Sequence, residues 1–126
     1  MGDPIDLTGK TVLLVEDDEL IRDDLDHSLR GLGAVTACTG SVGEAMALAE
    51  RDFTHAILDV RLSDGHVHPV ADRLAARRIP FTFYSASARC DGLSDRFPAA
   101  AVVPKPALPH RLAALIASPS TEDRPS

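Results

Sequence analysis

Apolar residues along the chain alternate between continuous runs and helical spacings. Continuous runs are typical of strands that are covered on both faces, and they predict five strands, over 11–15, 34–38, 55–60, 80–86 and 100–104. Between these runs, apolar residues recur at three- and four-residue steps, as in a helix with one buried face. The strict alternation of strand and helix predicts a parallel sheet with helices on both faces, because successive crossovers are right-handed.

The predicted helices carry boundary and packing signals. The first helix has a core stripe that Gly33 can close, and its members are Leu20, Ile21, Leu25, Leu29 and Leu32. Ser41 and Glu44 have capping-box spacing for a second helix over 41–52. Pro69 is tolerated in the first turn of a third helix over 68–78.

The last third of the chain has weaker patterns. The segment 87–97 predicts at most one short helix, and 109–118 predicts a last helix whose apolar stripe we assign to the core: Leu108, Leu112, Leu115 and Ile116. The polar residues 118–126 are expected to form a disordered tail. We therefore expect a short leading tail over 1–8 and one domain over 9–117.

Composition narrows the class of protein. The 126 residues carry a formal net charge of −6, which argues against a broad nucleic-acid-binding face. The two cysteines, Cys38 and Cys90, are too few for a disulfide framework, and we expect inert free thiols. No apolar run approaches the roughly 20 residues that span a bilayer, and the opening residues do not resemble a signal peptide. A cytoplasmic protein without membrane contact is expected.

Chemically capable side chains stand at the predicted strand ends. Glu16 and Asp17 follow the first strand, Asp59 ends the third, and Ser85 and Lys105 end the fourth and fifth. Ligands of open parallel sheets bind beyond the carboxyl ends of the strands, so these groups are expected to converge. Clustered carboxylates raise one another's pKa unless a cation lies among them. Hard oxygen ligands of this kind suit Mg²⁺.

Asp59 is then a candidate nucleophile for phosphoryl transfer. A carboxylate attacks a phosphoryl group poorly unless charge on the equatorial oxygens is neutralised. Mg²⁺ can neutralise one oxygen, Lys105 a second, and the Ser85 hydroxyl can donate to a third. These residues together predict an aspartyl phosphate.

Four motifs carry a resemblance to the receiver domains of response regulators in two-component signalling. They are "VLLVEDDELIR", "AILDV", "FYSA" and "VVPKP", in order along residues 9 to 117. The resemblance implies a flavodoxin-like, doubly wound, five-stranded parallel sheet of order 2-1-3-4-5. It implies phosphorylation of Asp59, and Mg²⁺ held by Asp17, Asp59, the backbone carbonyl of Arg61 and, through water, Glu16. It also implies a cis peptide bond between Lys105 and Pro106.

The resemblance further implies partners and an activity. The phosphoryl donor would be a sensor histidine kinase or a histidine phosphotransfer protein, and a downstream protein, as yet unknown, would receive the signal. The chain would act as a stand-alone receiver, a monomer or weak homodimer, by binding a partner or passing on phosphate. It would catalyse its own phosphorylation and dephosphorylation without turning over external substrates.

Departures from the family pattern bear on signalling. Pro80, Phe81 and Phe83 resemble an alphaproteobacterial subgroup with Pro-Phe-x-Phe-Ala-Thr-Gly, but the next three residues are Tyr-Ser-Ala. Val102 stands where most receivers carry a switching aromatic residue. We therefore expect output to travel by ordering of the segment 87–98.

Other interpretations of these residues remain open. Asp18 and Glu19 suit a helix N-terminus, Ser87 offers a hydroxyl that competes with Ser85, and Arg61 either tunes hydrolysis or is simply solvated. His66 and His68 lack a third ligand and are expected to be surface residues rather than a zinc site.

Two alternative functions compete with the phospho-switch. A phosphorylation-independent interaction module would not need the intact set of Asp59, Lys105 and paired acids. A phosphohydrolase of the haloacid-dehalogenase type would need a second Asp two residues after the nucleophile, where this chain has Arg61.

Overall fold

The computed structural model describes residues 5–86 and 93–117. Several predictions concern residues outside these ranges: the start of the leading tail, Ser87, Cys90, the first part of the segment 87–98, and the tail 118–126.

Five strands form one parallel sheet. They are β1 (Thr11–Val15), β2 (Val35–Thr39), β3 (His55–Leu58), β4 (Phe81–Ser85) and β5 (Ala101–Pro104). Their order across the sheet is β2-β1-β3-β4-β5, and every pairing is parallel. The predicted fold class and strand order are confirmed.

Helices cover both faces of this sheet. They are α1 (Glu19–Gly31), α2 (Val42–Leu48), α3 (His68–Ala76), the single turn α4 (Leu93–Arg96) and α5 (Pro109–Ala117). One apolar cluster joins the sheet to α1 and α5, through residues such as Leu25, Leu29, Leu112 and Ile116. The second cluster joins the other face to α2 and α3 and includes Phe97, just after α4. Because both faces are covered, the central strands β1 and β3 are almost entirely buried.

The predicted helix boundary signals act as hydrogen-bonding groups. Asp18 caps α1 by accepting hydrogen bonds from the backbone N–H groups of Leu20 and Ile21. Gly33 follows α1 with φ +109°, and its N–H donates to the Arg30 carbonyl at 3.0 Å. The Ser41 hydroxyl accepts from the Glu44 N–H at 3.1 Å, and Pro69 lies in the first turn of α3. These local signals correctly predicted both ends of α1 and the starts of α2 and α3.

Two assignments to the core were wrong. Leu20 in α1 is 82% exposed, and Leu108, just before α5, is 76% exposed. The remaining members of both stripes are buried or partly buried against the sheet. Leu20 lies in the first turn of α1 and Leu108 precedes α5, so each stands at the end of its apolar stripe.

Several predicted boundaries were also wrong. α2 ends at Leu48 rather than at 52, because the Arg77 guanidinium donates to the carbonyls of Ala49 and Arg51 and replaces further helical bonds. β3 ends at Leu58, so Asp59 lies one residue beyond the strand. A hairpin of two short strands, Arg61–Leu62 and Gly65–His66, was not predicted, since two-residue strands carry no readable periodicity. Within the described ranges, no helix has the length and apolarity to cross a membrane.

Candidate functional site

The carboxyl ends of β1, β3 and β5 bring three charged side chains together. The Lys105 Nζ lies 2.7 Å from Glu16 Oε1 and 3.4 Å from Asp59 Oδ2. All three side chains are nearly buried, with exposed fractions of 12% for Lys105, 2% for Glu16 and 9% for Asp59. Residues separated by nearly 90 positions thus form one pocket, as the strand-end rule predicts.

Asp17 completes a group of three carboxylates. One oxygen from each of Glu16, Asp17 and Asp59 lies within 4.8 Å of the other two. With Lys105, these groups sum to a formal charge of −2, which a divalent cation would neutralise. Glu16 Oε1 contacts Lys105 but makes no aligned hydrogen bond, so this buried oxygen retains capacity as an acceptor. The donor set therefore fits a hard cation such as Mg²⁺.

Electrostatics in this pocket favour a bound cation. Burial and then the negative charge of Glu16 raise the pKa of Asp59, Lys105 partly offsets both, and the resulting pKa is about 7. Burial also opposes the charge of Lys105, but its contacts with Glu16 and Asp59 outweigh burial and raise the pKa of the ammonium group. A cation beside Asp59 would hold its carboxylate in the ionised form that nucleophilic attack requires.

Glu16 is held by contacts that the sequence did not reveal. Its N–H donates to the Thr39 carbonyl at 2.9 Å, and its own carbonyl accepts from Arg22 Nη1 at 2.9 Å. A side chain at Gly40 would begin 2.8 Å from that Arg22 nitrogen. Arg22 and Gly40 therefore fix the backbone at the acidic group. The motif "VLLVEDDELIR" ends at Arg22 but assigned it no role, and Gly40 lies in none of the four motifs.

Lys105 is positioned by a backbone hydrogen bond and by the neighbouring Tyr84 ring. The Lys105 N–H donates to the Ser85 carbonyl at 2.8 Å, and the predicted cis bond to Pro106 is confirmed. The Tyr84 hydroxyl accepts from the Ala107 N–H at 3.0 Å and donates to the Ala107 carbonyl at 3.2 Å. The Tyr84 ring centroid lies 5.4 Å from Lys105 Nζ, within cation–π range. The sequence marked Tyr84 only as a departure from the family pattern.

Other predicted site residues lie nearby. Ser85 is buried at the end of β4 and pairs in register with Pro104, so it stands at the same sheet edge. Arg61 is exposed at the start of the hairpin. The roles of the Ser85 hydroxyl and of the Arg61 carbonyl stay predictions.

The two histidines give no support for a zinc site. The rings of His66 and His68 lie 5.7 Å apart, and the described residues place no metal-binding group around them. Cys38 is a free thiol, and partial burial together with Asp26 raises its pKa to about 11. A thiol with that pKa stays protonated and unreactive near neutral pH.

No family model matches this chain, and no curated protein matches it in sequence. Solved structures do match it. The non-phosphorylated HemR receiver domain from Leptospira biflexa is 26% identical, with a TM-score of 0.77 over 93% of this chain and 98% of that one. A CheY-like response regulator receiver domain from Methanospirillum hungatei is 24% identical, with a TM-score of 0.81 over 90% and 94%.

A third structure concerns the pocket. The receiver domain of a sensor histidine kinase from Pseudomonas aeruginosa is 23% identical, with a TM-score of 0.73 over 86% of this chain and 95% of that one, and it has a magnesium ion coordinated in its active site cleft. The chain described here therefore has the fold of response regulator receiver domains. The likeness to the alphaproteobacterial subgroup stays a prediction, because similarity of fold does not distinguish subgroups.

Proposed function

We propose that this chain is a phosphorylatable receiver that accepts a phosphoryl group on Asp59 with the aid of Mg²⁺. The proposal rests above all on one observation, the convergence of Glu16, Asp17, Asp59 and Lys105 at the carboxyl edge of the sheet. The donor would be a phosphohistidine of a sensor histidine kinase or of a histidine phosphotransfer protein. The signal would leave by binding of a downstream protein or by onward phosphate transfer, in the cytoplasm.

Asp59 would act as the nucleophile. Its carboxylate oxygen forms a bond to phosphorus while the bond from phosphorus to the donor's imidazole nitrogen breaks, and that nitrogen keeps the electron pair and later takes up a proton. The Lys105 ammonium, 3.4 Å from Asp59 Oδ2, would stabilise the charge that the phosphoryl oxygens bring into the pocket. Ser85 at the end of β4 would donate a hydrogen bond to another of these oxygens.

The metal would be held by Asp17 and Asp59, with Glu16 through water and the Arg61 carbonyl as further ligands. When bound, Mg²⁺ supplies positive charge that offsets the phosphoryl oxygens and the clustered carboxylates. Water attacking phosphorus would later release phosphate and regenerate Asp59. No external substrate is turned over in this scheme, so the chain would not be an enzyme in the usual sense.

Output coupling would differ from the common receiver pattern at Val102. Val102 is partly buried in the cluster beside α2 and α3, opposite Phe83 in the sheet register. Because residue 102 is valine, the chain lacks an aromatic side chain at this position that could move inward when a hydroxyl moves towards the phosphate. Ordering of the segment 87–98 on phosphorylation is our hypothesis, although residues 87–92 lie outside the described ranges. Amide exchange in that segment should slow on phosphorylation, and equal exchange in both forms would exclude this route.

The central test is a change in intact mass. Incubation with acetyl phosphate and Mg²⁺ should add one phosphoryl group to the chain, and chelation of the metal should prevent the gain. Asp59→Asn should abolish it, whereas Asp24→Asn, which changes an exposed acid on α1, should not. Absence of any gain in the unaltered chain would refute the switch and favour an interaction module that works without phosphate. Sustained release of phosphate from a panel of phosphate esters would instead indicate a hydrolase.

A further inference from the structure

A second site lies at the opposite edge of the sheet from the acidic pocket. A cavity of about 460 Å³ opens at the amino ends of three strands and is lined by their first residues, His55, Phe81 and Ala101. Small-molecule sites in proteins span roughly 300 to 1,000 Å³. Phe81 and Ser85 are four positions apart along β4, about 13 Å at 3.3 Å per residue, so the two sites do not overlap.

Most of the cavity wall is apolar. Ile79 and Phe81 line one side, Phe97 stands after α4, and Leu115 contributes from the last turns of α5. The rings of Phe81 and Phe97 pack edge to face with centroids 5.6 Å apart. Such packing holds the wall in one arrangement, and a preformed apolar surface of this kind suits the apolar body of a small molecule.

His55 places an unsatisfied polar group beside this wall. The residue is only 4% exposed, and its Nε2 lies 3.0 Å from Thr82 Oγ1, which also lines the cavity. Its Nδ1 is buried and has no hydrogen-bond partner within the described part of the chain. Buried polar atoms are nearly always paired, so His55 is an unusual polar residue in an otherwise apolar wall.

Arg78 supplies positive charge to the cavity. It follows α3 with φ +61°, a conformation in which glycine or asparagine is the ordinary residue. Arg96 also lines the cavity but pairs with Asp72 at 2.5 Å. Arg78 has no ion pair to any residue in 5–86 or 93–117. An unpaired arginine kept in a strained conformation beside an apolar cavity points to a ligand that the guanidinium recognises.

We propose that this cavity binds a small amphipathic carboxylate. Its apolar chain or ring would lie against Ile79, Phe81 and Phe97, and its carboxylate would pair with the planar guanidinium of Arg78, whose fork matches two carboxylate oxygens. Such a site would let a metabolite act on the receiver independently of the phosphoryl group. The proposal does not rest on the function of Asp59.

Octanoate and 1-octanol are a matched pair of probes, since they share a chain and differ in the headgroup. In ¹H–¹⁵N NMR titrations of the full chain, octanoate should give saturable shifts at Thr82 and Ala101, and octanol should bind about tenfold more weakly, as expected for one charge-assisted contact. Arg78→Gly should fold well, because glycine suits φ +61°, and should weaken octanoate about tenfold while leaving octanol unchanged. Arg78→Lys, which keeps the positive charge but not the planar fork, should weaken octanoate less than Arg78→Gly does.

Controls separate this site from others. Asp59→Asn should bind octanoate like the unaltered chain, so loss of phosphorylation leaves the proposal standing. Ala75→Phe, which directs a ring into the cavity, should abolish binding while the melting curve shows a folded chain. The site would be refuted if octanoate gave no saturable shifts up to 10 mM, because a Kd of about 10 mM is the weakest affinity that would be useful. Unchanged affinity in Arg78→Gly, or shifts confined to the acidic pocket, would also refute it.

Two other occupants would also overturn the proposal. Concentration-dependent shifts at the cavity residues without octanoate would assign the cavity to a second copy of the chain. Octanoate binding that begins only after residues 118–126 are removed would assign it to that segment.

Discussion

Burial of His55 should make the stability of this fold depend on pH below neutrality. The informative perturbation is the double variant His55→Leu with Thr82→Val, which removes both members of the buried hydrogen bond. Replacing both partners with apolar groups of similar shape leaves no orphaned atom and should change stability little at neutral pH. The variant then differs from the unaltered chain mainly in lacking one buried titratable group.

The size of the effect follows from the two pKa values of His55. In the folded chain, burial and then the positive charge of Lys10 lower the pKa of His55 from 6.5 to about 4. Above pH 6.5 the imidazole is neutral in both states and does not change the free energy of unfolding. Between pH 6.5 and about 4 the unfolded chain takes up a proton that the folded chain does not, so the free energy of unfolding falls. The full loss is about 3 kcal/mol, and about 2 kcal/mol of it has occurred by pH 5.

The assay is urea unfolding followed by circular dichroism at pH 7.5 and pH 5.0. Both proteins share the other four histidines and all the carboxylates, so the difference between their pH dependences isolates His55. The unaltered chain should lose about 2 kcal/mol more than the double variant on going to pH 5.0.

Equal losses in the two proteins would refute this reasoning. They would mean either that His55 is solvated in the folded chain or that its proton is accommodated within the fold. An NMR titration of the His55 ring would check the same point directly, because either case gives a pKa near 6.5 in the folded chain rather than about 4.

Three further predictions concern the loops and the acidic pocket. Gly33→Ala should lower the free energy of unfolding by about 1 to 3 kcal/mol, because φ is +109° and the new methyl group would lie 2.8 Å from Thr8 Oγ1. Gly43→Ala is the control: a methyl group there would meet open space, so the free energy of chemical unfolding should rise by about 0.5 to 1 kcal/mol. Mg²⁺ at ten times its Kd should stabilise the chain by about 1.4 kcal/mol in thermal melts but not the Asp59→Asn variant, and equal stabilisation would place the ion elsewhere. Lys105→Gln should slow phosphorylation by acetyl phosphate about 10²- to 10³-fold. Lys10→Gln, which changes the chain's other lysine, should leave the rate unchanged. A normal rate in Lys105→Gln would show that Lys105 takes no part in the reaction.

Much of the fold could be predicted because its signals are local. Continuous apolar runs predicted the five strands, and Asp18, Gly33 and Ser41 predicted helix ends through bonds to neighbouring backbone groups. Each of these depends on a few consecutive residues. Local signals failed where distant groups decide the outcome, as at the end of α2, where Arg77 takes up the terminal carbonyls.

The candidate site divides in the same way. Strand ends in a parallel sheet share an edge, so the meeting of Glu16, Asp17, Asp59 and Lys105 could be predicted. The residues that hold this group in place could not. Arg22, near the start of α1, donates to the carbonyl of Glu16 six residues earlier, and residue types alone do not indicate that contact.

The sequence by itself thus determined the alternation of strand and helix, and with it which side chains meet at the carboxyl edge. Only the tertiary structure decided how the charges are shared: Lys105 lies closer to Glu16 than to Asp59, and the pKa of Asp59 rises to about 7. The tertiary structure also forms the cavity beside His55 at the amino edge of the sheet. The physical reason is that periodicity sets topology, whereas desolvation and charge coupling depend on distances between residues far apart in the chain.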